Sequence, residues 1–191
     1  MKKSIIFPGQ GSQQVGMGKN IYDSFLTGKE VFQEVDDILS TKLSKIIFEG
    51  PMEELTLTKN AQPAIMAVSM AIIKTLEKEF SINLQNNISY FAGHSLGEYT
   101  ALSASCALSI KDVAMLLRKR GESMQNSIEE KKIGMAAMIG ADINLIQKLI
   151  NKIKGRNILE VANYNTINQI VISGDEIAIE KAILEAKKEK I

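Results

Sequence analysis

Apolar and polar positions follow a helical period through most of the first two-thirds of the chain, broken by short apolar runs. Ser4-Ile5-Ile6-Phe7, stopped by Pro8, predicts a first strand. Over residues 22–40, Phe25, Val31, Phe32, Val35, Ile38 and Leu39 recur at helical spacing and predict one helix. Residues 43–48 predict a short helix closed by Gly50-Pro51. Asn60 reads as the cap of a long core helix reaching about Phe80, with Pro63 in its first turn. Ile65, Val68, Ile72, Leu76 and Phe80 share one face of it, and Met66 and Met70 read as packing. The polar Gln85-Asn86-Asn87 predicts a loop. It leads into an apolar segment, Ile88 with Tyr90, Phe91 and Ala92, that reads as a short buried strand. Small and apolar residues from 99 to 107 predict the start of a helix. Ser109 then caps another from Ile110 to about 127, with Asp112 in its first turn.

A charged connector at 129–132 marks the best boundary, and the pattern changes beyond it. Residues 133–139 predict a strand, 141–153 a helix and 157–162 a strand. Asn163 to Asn168 predict a polar turn, 169–173 a strand and 175–188 a helix. The expected domains are therefore 1–130 and 131–191, the second running β-α-β-β-α. A ferredoxin-like unit has one strand more, and the sequence stops about where that strand is expected.

Composition narrows the classes. With 191 residues and 45% apolar content the chain can bury a substantial core. Its 23 basic and 22 acidic residues leave a net charge of +1, which argues against a nucleic-acid protein working through a basic face. The single cysteine, Cys106, reads as a packed core thiol, and the cysteine usage fits a cytoplasmic compartment. The N-terminal apolar run is too short for a signal-peptide core, and no stretch reaches the length of a membrane span. One cysteine and one histidine cannot build a zinc site, so no metal is expected.

The chemistry centres on Gly93-His94-Ser95-Leu96-Gly97. A strand turning sharply into a helix has no room for side chains at its crowded corners. Glycines two positions either side of Ser95 meet that demand, and the turn pushes the hydroxyl out at the strand's carboxyl end. The helix start supplies backbone N–H groups beside it. Gly9-Gln10-Gly11-Ser12 follows the first strand but lacks both the Walker spacing and the dinucleotide fingerprint. It reads either as a backbone loop approaching a reacting carbonyl, with Gln10 beside it, or as an ordinary turn. Arg120 falls on the face of Val113, Leu117 and Met124. It reads either as a snorkelling arginine or as a guanidinium aimed into a cleft to grip a carboxylate. Arg118 and Lys119 point elsewhere and read as solvated.

Phe7-Pro8-Gly9-Gln10-Gly11-Ser12-Gln13, Gly93-His94-Ser95-Leu96-Gly97-Glu98-Tyr99, Lys119-Arg120-Gly121 and Asn163-x-Asn165 occur in one order and spacing. Together they closely resemble the malonyl-CoA:acyl-carrier-protein transacylase family of fatty acid and polyketide synthesis, over the whole chain. The resemblance implies an α/β fold: an α/β-hydrolase-like large subdomain with an inserted ferredoxin-like small subdomain, truncated at its C-terminus. It implies that Ser95 takes malonyl from malonyl-CoA as an ester and passes it to the phosphopantetheine thiol of acyl carrier protein. The phosphopantetheine comes with the partner and malonyl-CoA is substrate, so no resident cofactor is implied. The Leu96 N–H and Gln10 fall on the oxyanion-hole positions, each worth roughly 3 kcal/mol of barrier. Arg120 falls on the malonyl-binding position. His94, Asn163 and Asn165 are grouped with it as substrate-binding residues.

Members of that family are longer, and their catalytic histidine follows the small subdomain. This sequence ends before it. His94 sits next to the nucleophile at a tight turn, where neighbouring side chains diverge, and is a poor base for Ser95. The chain alone is therefore expected to turn over little. The alternatives are a serine hydrolase that passes the acyl group to water, and a non-catalytic carrier-binding module.

Overall fold

The computed structural model describes residues 2–129 and 132–189. The chain divides into two units, Met1–Gln125 and Asn126–Ile191, each with its own core. Residues 130 and 131 of the charged connector lie outside the described residues.

In the first unit β1 (Ser4–Phe7) leads through the glycine-rich loop to α1 (Lys19–Ser24), α2 (Leu26–Leu39), α3 (Leu43–Glu49) and α4 (Met52–Thr56). Then come α5 (Thr58–Lys78), the single turn α6 (Leu84–Asn87), β2 (Tyr90–Gly93), α7 (Leu96–Ala104) and α8 (Ile110–Glu129), whose last four residues fall in the second unit. β1 and β2 pair in parallel, Ser4 opposite Tyr90 and Phe7 opposite Gly93. The core lies among α2, α3, α5, α7 and α8. Val31, Phe32 and Val35 pack there with Met66, Met70, Leu96 and Leu117. Met66 and Met70 are fully buried, as packing residues.

Several local expectations change. Residues 22–40 form two helices, not one, because Phe25 is extended (φ −132°, ψ 125°) and its ring packs on Phe80. α5 starts two residues before Asn60, so Asn60 is not its cap. Its amide instead donates to the Glu54 carbonyl at 2.9 Å. Residues 85–87 are not a loop; they wind into α6, where the Asn83 side chain accepts from the Asn86 N–H. β2 is not fully buried: Tyr90 is exposed and Phe91 half-buried, because β1 is its only partner strand among the described residues. α7 begins directly after Ser95, three residues earlier than expected. Ser109 does cap α8, accepting from the Asp112 N–H at 3.0 Å and donating to its carboxylate at 2.6 Å. Cys106 is exposed, not packed. It sits at φ 63° in the turn between α7 and α8, where the chain reverses at the surface.

The second unit holds β3 (Ile133–Ile139), α9 (Ile143–Ile153), β4 (Leu159–Thr166), β5 (Gln169–Asp175) and α10 (Glu176–Lys188). Its antiparallel sheet has the order β3-β5-β4. Asp142 caps α9 by accepting from the N–H groups of Asn144 and Leu145. Both helices press apolar faces on the sheet: Ile146, Leu149 and Ile150 from α9, Ala178, Ile179 and Ala182 from α10. Asn163 and Asn165 are not in a turn. They belong to β4, which runs on to Thr166 through two register shifts and leaves only Ile167-Asn168 as the turn.

Candidate active site

Four glycine-dependent contacts build the site. At Ser95 the backbone is held at φ 55°, ψ −112°, a conformation that costs a side-chain-bearing residue about 1–3 kcal/mol. The elbow is tight enough that a Cβ on Gly93 would overlap the Gly97 carbonyl. A Cβ on Gly97 would lie 2.5 Å from the Phe7 carbonyl oxygen and 2.9 Å from that of Pro8. α7 can therefore start against the end of β1 only without side chains at these corners. The turn is closed by the Gly97 N–H donating to the His94 carbonyl at 2.9 Å. Leu96 is the first residue of α7, where a backbone N–H has no acceptor within its own helix.

Gly9 sets the glycine-rich loop against the elbow: a Cβ there would meet His94 Nδ1 at 3.0 Å. The loop is braced from within, the Gln13 side chain accepting from the Gly11 N–H at 2.8 Å and Ser12 donating to the Gly9 carbonyl at 2.9 Å. Gln10 is exposed on it, and its amide donates to Thr58 Oγ1 at 3.4 Å, at the start of α5.

α8 crosses α5 at Gly121, where a Cβ would sit 2.6 Å from both the Thr58 carbonyl oxygen and Lys59 Cα. That close approach brings Arg120 to the elbow. Its Nη2 donates to Ser95 Oγ at 2.9 Å and its Nη1 to Gln62 Oε1 at 2.7 Å. The guanidinium also lies 5.9 Å over the Tyr99 ring. Arg120 is thus a guanidinium turned onto Ser95. Arg118 is not solvated. It is half-buried, donates to Asn60 Oδ1 at 2.8 Å, and burial lowers its pKa against an opposing pull from Glu122. Lys119 is exposed.

Ser95, Arg120 and Leu96 therefore meet in one place, with the Gln10 loop beside them and His94 in the elbow itself. Asn163 and Asn165 are exposed on β4 of the second unit; the Asn165 amide donates to Gln169 Oε1 at 3.0 Å. The residue that sequence reasoning missed is Gln62. Its one available signal was a polar side chain within an apolar helical stretch. Among the described residues no cluster of three or more metal-ligating side chains occurs, and no helix is long and apolar enough to cross a membrane.

A serine on a strained strand-to-helix turn, at a helix N-terminus and with a cation on its oxygen, is an arrangement that suits covalent acyl transfer. Residues 5–191 match the acyl transferase domain family, and the chain belongs to that family. It is 45% identical over 188 residues to a malonyl CoA-acyl carrier protein transacylase of Bacillus subtilis, covering 98% of this chain and 58% of that protein. It is 34% identical over 179 residues to one from Escherichia coli, covering 94% and 57%. Among solved structures, an acyl-carrier-protein S-malonyltransferase from Bartonella henselae superposes with a TM-score of 0.93 at 46% identity, over 99% of this chain and 60% of that one. A malonyl-transacylase solved in complex with a type II PKS acyl-carrier protein superposes at 0.89 and 33% identity, over 99% and 60%. The chain thus spans about three-fifths of the length of these relatives.

Proposed function

We propose that the protein transfers a malonyl group from malonyl-CoA to the phosphopantetheine thiol of acyl carrier protein. Ser95 Oγ attacks the thioester carbonyl, an ester C–O bond forms, the C–S bond breaks and CoA leaves as its thiol. The carrier thiol then attacks the ester, and the acyl carbon passes from Ser95 oxygen to sulfur. The observation that carries this reading is the 2.9 Å contact between Arg120 and Ser95 Oγ. It puts a permanent, planar cation within reach of an acyl group bound at the serine, and a carboxylate-bearing acyl group complements it. The Leu96 N–H and the Gln10 amide are assigned to the developing oxyanion.

Arg120 donates only, so another group must take the Ser95 proton. We assign that acceptor to the part of the relatives' length that this chain does not span, and expect residues 1–191 alone to turn over little. The same reading takes the first unit as part of an α/β-hydrolase-like large subdomain. It takes the second as ferredoxin-like, in line with its β3-β5-β4 order. The location expected from cysteine usage is cytoplasmic.

The test is intact mass after mixing the whole protein with malonyl-CoA. A malonyl adduct that Ser95→Ala abolishes is expected, and carrier-protein thiol should discharge it. An adduct that persists in Ser95→Ala overturns the assignment. Discharge by water alone makes the protein a hydrolase.

A further inference from the structure

Gln62 is fully buried on α5, and the mechanism above makes no use of it. Its Oε1 accepts from Arg120 Nη1 at 2.7 Å, while its Nε2 faces Met124 Sδ at 3.4 Å, one turn further along α8. Because a guanidinium only donates, this pair sets the amide's orientation: oxygen toward Arg120, nitrogen toward the sulfur. The backbone contact at Gly121 holds the two helices together beside it. Arg120 is therefore suspended between one neutral buried oxygen and the nucleophile.

The neutrality of that oxygen has a consequence for charge. Arg120 enters no ion pair among the described residues. A carboxylate at position 62 would hold the same nitrogen but compensate its charge in a poorly solvated place. An amide holds the nitrogen and leaves the charge for a second, anionic partner. Asn60, two residues earlier, holds Arg118 in the same neutral way.

We propose that Gln62 is a positioning residue that orients Arg120 through an uncharged acceptor and so sets the preference for a carboxylated over a neutral acyl group. This rests on Arg120 as the carboxylate holder. It is tested in the whole protein carrying Ser95→Ala, so that no acyl transfer occurs, by calorimetric binding of malonyl-CoA and of acetyl-CoA. Tighter malonyl-CoA binding is expected in this background. Adding Gln62→Glu is expected to lower the malonyl-to-acetyl affinity ratio about tenfold with acetyl-CoA affinity unchanged. Gln62→Met, which removes the acceptor but keeps an unbranched side chain, is expected to lower the ratio about threefold. An unchanged ratio in either variant that still binds acetyl-CoA overturns the proposal. So does loss of acetyl-CoA binding in both variants, which makes Gln62 a structural residue only. Arg120→Ala in the same background separates the two failures. If it leaves the ratio unchanged, the carboxylate role of Arg120 fails; if it alone moves the ratio, only the role of Gln62 fails.

Discussion

Arg120 Nη2 donates to Ser95 Oγ at 2.9 Å across 25 positions of sequence. The contact joins two features with separate local causes. Ser95 is presented by a turn that only glycine corners permit. Arg120 is delivered by a helix whose path depends on Gly121 lying against the backbone of Thr58 and Lys59.

Removing the cation tests the first consequence. Arg120→Ala is expected to lower the ratio of malonyl to acetyl loading on Ser95 by about 10- to 100-fold, the worth of a hydrogen bond to a charged group. Arg120→Lys should not restore it, because an ammonium lacks the planar fork. The measurement is competitive loading followed by intact mass. Equal loading ratios in wild type and Arg120→Ala would remove the carboxylate role.

The backbone strain at Ser95 gives a second expectation. Ser95→Gly and Ser95→Ala both lose the nucleophile, but only glycine relaxes at φ 55°, ψ −112°. Ser95→Gly should be about 1 kcal/mol more stable than Ser95→Ala in denaturant titration. Equal midpoints would mean that the turn stores no strain.

The helix crossing gives a third, with a diagnostic sign. In an exposed helix, alanine is favoured over glycine by about 1 kcal/mol. At Gly121 the added Cβ meets backbone at 2.6 Å, so Gly121→Ala should instead destabilise by about 1–3 kcal/mol. It should also move Arg120 off Ser95 and Gln62, cutting loading of Ser95. A stabilised variant with full loading would refute the close-approach argument.

The fourth concerns pH and the second unit. Glu185 on α10 donates no proton at neutral pH; it accepts from Lys152 of α9 and from Lys188, which hold its carboxyl down to about 2 from an ordinary value of 4.5. The same pairing raises Lys152. A carboxyl depressed in the folded state stabilises above its unfolded pKa, and the effect is lost as pH falls through the folded value. Acid titration should therefore weaken the contact between α9 and α10 from about pH 4.5 down to about 2. In Glu185→Gln that acid dependence should shrink, and salt should weaken it in wild type because Lys152 is exposed. Identical acid unfolding of the two proteins would contradict this.

Local patterns made much of this readable in advance. β1 and β3 have the expected bounds because each is a short apolar run between lysines and a proline or glycine. Gly93 and Gly97 announced the elbow, since a glycine pair around a serine has a steric cause within five residues. Residues 22–40 carry one helical period yet form two helices, because the break at Phe25 is stabilised by Phe80, far along the chain. Asn163 and Asn165 lie in β4 and not in a turn for a similar reason. Ladder pairing to β5 outweighs the turn preference of asparagine.

The sequence by itself determined what acts over a few residues: the strained serine, the Leu96 N–H at the start of α7, the Ser109 cap and the apolar faces of the helices. Helical spacing already sets Arg120 apart from Arg118; tertiary structure alone decided that Arg120 reaches the serine and what holds it there. Arg118 and Arg120 are alike in composition and two residues apart. Helical geometry turns them in different directions, one onto Asn60 and the other onto Gln62 and Ser95. That choice depends on two helices meeting at a glycine. The energy of such a contact lies between segments some 60 positions apart, where no local pattern records it.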